Sequence, residues 1–175
     1  MTIQNKTKLK RYTLYVIVLV LAHLFQNSIQ IFPEVLGVRP VIIIPLALCI
    51  AMYEGEFKGA LVGLFAGALW DTVTVTADGY NAAFLMIICA ACGMLLRIFW
   101  RNNIITFAII NAATLVLYFF TRVLFFYVAQ GVDGAEVLII RSYLPMALYS
   151  FLLTPLWFVL VGAINKKYPL NYMEY

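Results

Sequence analysis

Charge is what this chain has least of: only 11% of its 175 residues are Asp, Glu, Lys or Arg, where an ordinary soluble domain carries about a quarter. With 65% of residues hydrophobic, the shortage marks an integral membrane protein. No polar stretch is long enough for a separate soluble domain, which needs about 50 residues or more. Histidine occurs once, at His23, and the three cysteines Cys49, Cys89 and Cys92 lie inside apolar runs. Thiols there behave as small hydrophobes, so no disulfide and no metal site is expected. Cys89-x-x-Cys92 lacks a βαβ context and a neighbouring base, and reads as helix packing.

Catalytic constellations are missing too. There is no carboxylate pair, no serine beside a positioned histidine and no glycine loop after a strand to cradle phosphate. An intramembrane hydrolase built on His23 would need a nucleophile at matching depth, and Ser28 and Thr74 have no supporting context. The chain is read as a non-enzyme without a cofactor. The net charge of +4 does not indicate nucleic acid, because basic residues scattered singly between apolar runs form no face that could track phosphates.

What the chain does have is apolar runs. The fold class expected is an all-α integral membrane protein, a single membrane domain over residues 1–175 with six transmembrane helices at about 12–32, 38–53, 57–71, 82–100, 103–128 and 138–164. Four basic residues precede the first run, which resembles a signal peptide but is too long and too polar at its end for one. Pro40 and Pro45 are expected to kink or break the second span, which leaves open whether it crosses fully, and Pro145 and Pro155 to bend the sixth.

The centre of the pattern is Glu54 to Tyr80. Gly55, Gly59, Gly63 and Gly67 recur every four residues, a spacing that puts them on one helix face and lets a neighbouring backbone approach closely. Asp71 continues the same face, and a carboxylate near the bilayer boundary is costly unless it meets protein or water. His23, Gln26, Asn27 and Gln30 form a polar stripe on the first span, while Asn111, Thr114, Tyr118 and Arg122 form another on the fifth. The intramembrane polar cluster expected is His23, Gln26, Asn27, Gln30, Asp71 and Arg122, with Asp71 and Arg122 approaching each other directly or through water. Alternatively Arg122 reaches the outer interface alone.

Orientation follows from Lys and Arg. Six spans place Lys6, Lys8, Lys10, Arg11, Lys58, Arg97, Arg101, Lys166 and Lys167 on one side, with only Arg39 and Arg141 on the other. The positive-inside rule then makes both termini cytoplasmic.

The stretch GALVGLFAGALWD followed by a short loop ending DGYNA resembles the rod shape-determining MreD family, small bacterial proteins made almost entirely of spanning helices. That resemblance implies a non-enzymatic component of the cell-elongation machinery in the bacterial cytoplasmic (inner) membrane. The implied partners are an MreC-like protein and, indirectly, MreB filaments, RodA and a class B penicillin-binding protein. Asp71 matches the family's aspartate and Gly79 its later loop glycine, so Gly55, Gly59, Gly63, Gly67, Asp71 and Gly79 become candidate partner or helix-packing residues. The six-helix architecture is also similar to the substrate-binding S-components of energy-coupling-factor vitamin transporters, the alternative reading. The sequence leaves open a homo-oligomer and whether an outer cavity takes a ligand.

Overall fold

The computed structural model of the chain describes residues 3–28, 37–74, 79–98, 102–125 and 139–169. Seven α-helices follow in order: α1 (Ile3–Asn27), α2 (Ile43–Glu54), α3 (Glu56–Asp71), α4 (Tyr80–Ile98), α5 (Ile104–Val123), α6 (Leu144–Leu152) and α7 (Thr154–Lys167). A π-helical turn at Ile139–Tyr143 leads into α6. There is no strand among the described residues. Lys6–Asn27, Tyr80–Ile98, Ile104–Val123 and the stretch Arg141–Lys167 are each long and apolar enough to cross a membrane. Taking α6 and α7 as one broken segment, the described residues form an all-α bundle of six helical segments.

Contacts fix the direction of each segment. Gln26 near the end of α1 meets the start of α2, while Arg11 near its beginning meets Glu54 at the end of α2. These two helices are therefore antiparallel. Glu56 at the start of α3 pairs with Arg97 at the end of α4, and Asp71 at the end of α3 meets the first turn of α4. Arg11 donates to the Tyr168 carbonyl just beyond α7, so α1 begins and α7 ends at the same end of the bundle.

Two local expectations differ from what is observed. The basic residues Lys6, Lys8, Lys10 and Arg11 lie on α1 itself, which begins at Ile3. Neither Pro40 nor Pro45 breaks a helix: Pro40 precedes α2, and Pro45 sits in its first turn, where a missing N–H costs no intrahelical bond. In the sixth segment the helix stops at Leu152 and restarts at Thr154, and Pro155 leaves the Phe151 carbonyl without its usual donor.

The core is α2. Eleven of its twelve residues are buried, and α1, α3, α4, α5 and α7 surround it. Outward faces carry large apolar side chains such as Ile105, Val116 and Phe120 on α5, the surface a lipid solvent requires.

The closest helix pair is α3 with α4. A Cβ at Gly63 would lie 2.3 Å from the Leu85 carbonyl oxygen, and one at Gly67 would lie 2.3 Å from that of Asn81. At Gly59 the nearest atoms, Ala51 Cβ and the Cys89 oxygen, stand at 3.0 Å. From the other side, Gly93 of α4 lies against the Gly55 backbone. The glycine stripe is thus filled by α4 of its own chain and offers no open docking face. Gly55 itself is outside α3: with φ 83° it forms the one-residue joint between α2 and α3, a left-handed conformation that glycine adopts without penalty.

Candidate functional site

Two groups of polar residues stand at opposite ends of the bundle. At the end carrying Asp71, the Asp71 carboxylate accepts from the Asn81 backbone N–H at 3.2 Å, the Asn81 side-chain amide at 2.8 Å and the Ala82 N–H at 3.0 Å. These backbone donors belong to the first turn of α4, which has no intrahelical acceptors for them. Asp71 is a helix cap supplied from another helix. Gly79, with φ 81°, turns the chain into that capped end.

Asn81 passes the connection on. Fully buried, it accepts at Oδ1 from the Tyr118 hydroxyl at 2.7 Å, and Tyr118 in turn accepts from Arg122 Nη1 at 2.8 Å. No ion pair joins Asp71 to Arg122 among the described residues; the expected direct approach is replaced by a chain running Asp71, Asn81, Tyr118, Arg122. The reason is local, since Asp71 is satisfied ten residues downstream by backbone N–H groups that pattern reading does not see. The Tyr118 ring packs parallel to Trp70 at 5.1 Å between centroids and meets Phe84 and Phe119 edge-on, which fixes the hydroxyl between its partners.

Beside this chain lies a cavity of about 340 Å³ whose walls include Gln26, Arg39, Trp70, Tyr118, Arg122 and Tyr143. Gln26 Oε1 accepts from the backbone N–H groups of Ile42 and Ile43 at 2.9 and 3.1 Å, so α1 caps α2 much as α3 caps α4. Val41 N–H is taken by Ser150 Oγ at 2.7 Å.

Of the expected cluster, Gln26, Asn27 and Arg122 reach the cavity wall. His23 does not: it is buried along α1 and bonded to Asn27 of its own helix. Asp71 faces α4 instead, and Gln30 lies outside the described residues. Asn111 of the second stripe donates to Thr154 across to α7 at 2.8 Å.

The opposite end holds a cluster that spacing did not reveal. Arg11 and Glu54 form an ion pair whose side chains are only 3% and 0% exposed. Tyr12 donates to Glu54 at 3.2 Å, Arg11 donates to Tyr15 at 3.0 Å, and Tyr15 donates to Asn165 of α7 at 3.1 Å. The carboxylate ties α1 to α2, and the Tyr15 hydroxyl ties α1 to α7. Two signals pointed here: Arg11 and Tyr15 are one turn apart, and Glu54 follows an unbroken apolar run. Asn81 left a fainter trace, as a lone amide opening an apolar helix.

Removing the Asp71 carboxylate has a definite expected cost. Asp71→Ala strips a cap, about 0.5–2 kcal/mol, and leaves the buried Asn81 amide short of an acceptor, about 1–3 kcal/mol more. Hydrogen exchange read by mass spectrometry should show the amides of Asn81 and Ala82 exchanging faster, with α7 amides unchanged. Unaltered exchange at both positions would mean that Asp71 does not cap α4.

No curated protein and no solved structure matches this chain. A family profile does, over residues 7–167, and it is that of the rod shape-determining protein MreD. The match takes in both polar ends, the glycine-packed hairpin of α3 and α4 and the cavity beside Tyr118 and Arg122. Covering nearly the whole chain, it shows that the protein belongs to the MreD family and is a membrane component of the rod-shape machinery.

Proposed function

We propose that the chain is a non-enzymatic helical scaffold of the bacterial cytoplasmic membrane, with both termini cytoplasmic, that holds an MreC-like protein. Through that partner it acts on MreB filaments and on peptidoglycan synthesis by RodA and a class B penicillin-binding protein. The observation that carries this reading is the family match over residues 7–167. The internal geometry supports it: Asp71, Gln26 and Glu54 are each engaged in capping or pairing helices, which suits a rigid platform. The end bearing Arg11, Lys58 and Lys166 is taken as the cytoplasmic one.

The test is affinity purification of the tagged chain in mild detergent, together with depletion of the chain in a rod-shaped host. The expected result is recovery of an MreC-like protein with wall-synthesis components, and rounding of depleted cells. Cells that keep their rod shape, with no such protein recovered, would overturn the scaffold.

A second reading rests on the cavity of about 340 Å³. A six-helix architecture similar to the S-components of energy-coupling-factor transporters would make that cavity a vitamin site. Recovery of a paired-ATPase module and a stoichiometric vitamin from the same purification would favour it.

A further inference from the structure

The cavity's polar wall carries two guanidinium groups, Arg39 and Arg122, beside the Gln26 amide and the oxygens of Asn27, Thr74 and Tyr118. Gln26 spends its carbonyl oxygen on the N–H groups of Ile42 and Ile43, leaving an amide that can only donate. The hydroxyls of Tyr118 and Thr74 are engaged inside the bundle, with Asn81, Arg122 and the Trp70 carbonyl, so the charge on the wall is that of the two arginines. Arg39 and Arg122 add two guanidinium groups, each with five N–H donors, so either can keep an internal partner and still hold an oxyanion. Such a lining selects an anion.

Depth and shape narrow the class. From Lys6 at the basic end of α1 to Gln26 at the cavity is about 30 Å along the helix at 1.5 Å per residue, the thickness of a bilayer's hydrocarbon layer. The cavity therefore sits at headgroup level, at the opposite surface from the Lys-rich end. Its volume of about 340 Å³ is at the small end for ligand sites, about 300–1,000 Å³, and takes a headgroup without its tails. Val41, Phe119 and Met146 supply an apolar wall along which an acyl chain can leave for the membrane.

We propose that this cavity binds the phosphate of an anionic lipid, with Arg39 and Arg122 on the phosphate oxygens. A zwitterionic lipid is disfavoured because its quaternary ammonium would be brought close to the same two guanidinium groups. The site does not depend on the scaffold reading, since binding is measured on the isolated chain and the scaffold is tested in cells.

The experiment is native mass spectrometry of the delipidated full-length protein titrated with phosphatidylglycerol, phosphatidylcholine or inorganic phosphate. The expected result is one phosphatidylglycerol bound at least about tenfold more tightly than phosphatidylcholine, and a loss of about tenfold or more in the double variant Arg39→Gln, Arg122→Gln. Met146→Trp, which fills the cavity and keeps both guanidinium groups, should lose the same lipid without a fall in melting temperature, and decides the matter if the double variant does not fold. Displacement of the lipid by inorganic phosphate alone would support the oxyanion cradle and make free phosphate its occupant. Equal binding of the two lipids, or wild-type binding by Met146→Trp, would overturn the proposal.

Discussion

Replacing Arg11 by Leu is expected to destabilise the protein by about 3–5 kcal/mol, the cost of stranding a buried partner charge. Glu54, with its side chain 0% exposed, would keep only the Tyr12 hydroxyl at 3.2 Å and Lys58 at 4.0 Å. Glu54→Leu should cost less, because Arg11 keeps its hydrogen bonds to the Tyr15 hydroxyl and the Tyr168 carbonyl. The double variant Arg11→Leu, Glu54→Leu should recover most of the loss, since neither charge then needs a partner. Lys58→Ala, whose side chain is 43% exposed, should cost no more than about 1 kcal/mol. Unfolding in detergent, followed as a double-mutant cycle, measures all four, and single variants melting with the wild type would remove the pair from the account of stability.

The second large effect is expected on the α3–α4 contact, as a graded series. Gly63→Ala and Gly67→Ala place a methyl group 2.3 Å from a backbone oxygen. Backbone cannot yield as a side chain can, so the helices must separate, at about 1–3 kcal/mol or more for each substitution. Gly59→Ala, whose nearest atoms are at 3.0 Å, should cost less, and Gly162→Ala, facing only the Tyr53 hydroxyl at 3.4 Å, should be near neutral. Melting temperatures and membrane-extracted yields should follow that order. A flat series would mean that α3 and α4 approach less closely than described.

The glycine face was readable because a four-residue spacing maps directly onto one side of a helix. The occupant of that face was not, for spacing says nothing of which neighbour arrives. Asp71 was recognisable as a group that needed partners, yet the partners are mostly backbone N–H groups of α4, and backbone leaves no residue signature. Glu54 looked like a turn charge because it stands beside Gly55, Glu56 and Lys58, whereas burial depends on α1 and α7 closing over it. Gln26 and Asn27 line the cavity, while His23, on the same face by spacing, misses it.

The sheathing of α2 sets an order on how the molecule is made. A helix with eleven of twelve residues buried has almost no lipid-facing surface, and part of its sheath is α7: the Cys49 thiol donates to the Trp157 carbonyl, and Tyr53 packs on Phe158. Those residues are synthesised about a hundred positions later. During translation α1, α3 and α4 are available early to cover α2, and only the side that meets α7 waits, without the hydrophobic drive that would bury it in water, because lipid is as apolar as its own side chains. A chain truncated before Thr154 is therefore expected to leave the Cys49 and Tyr53 side of α2 without its cover.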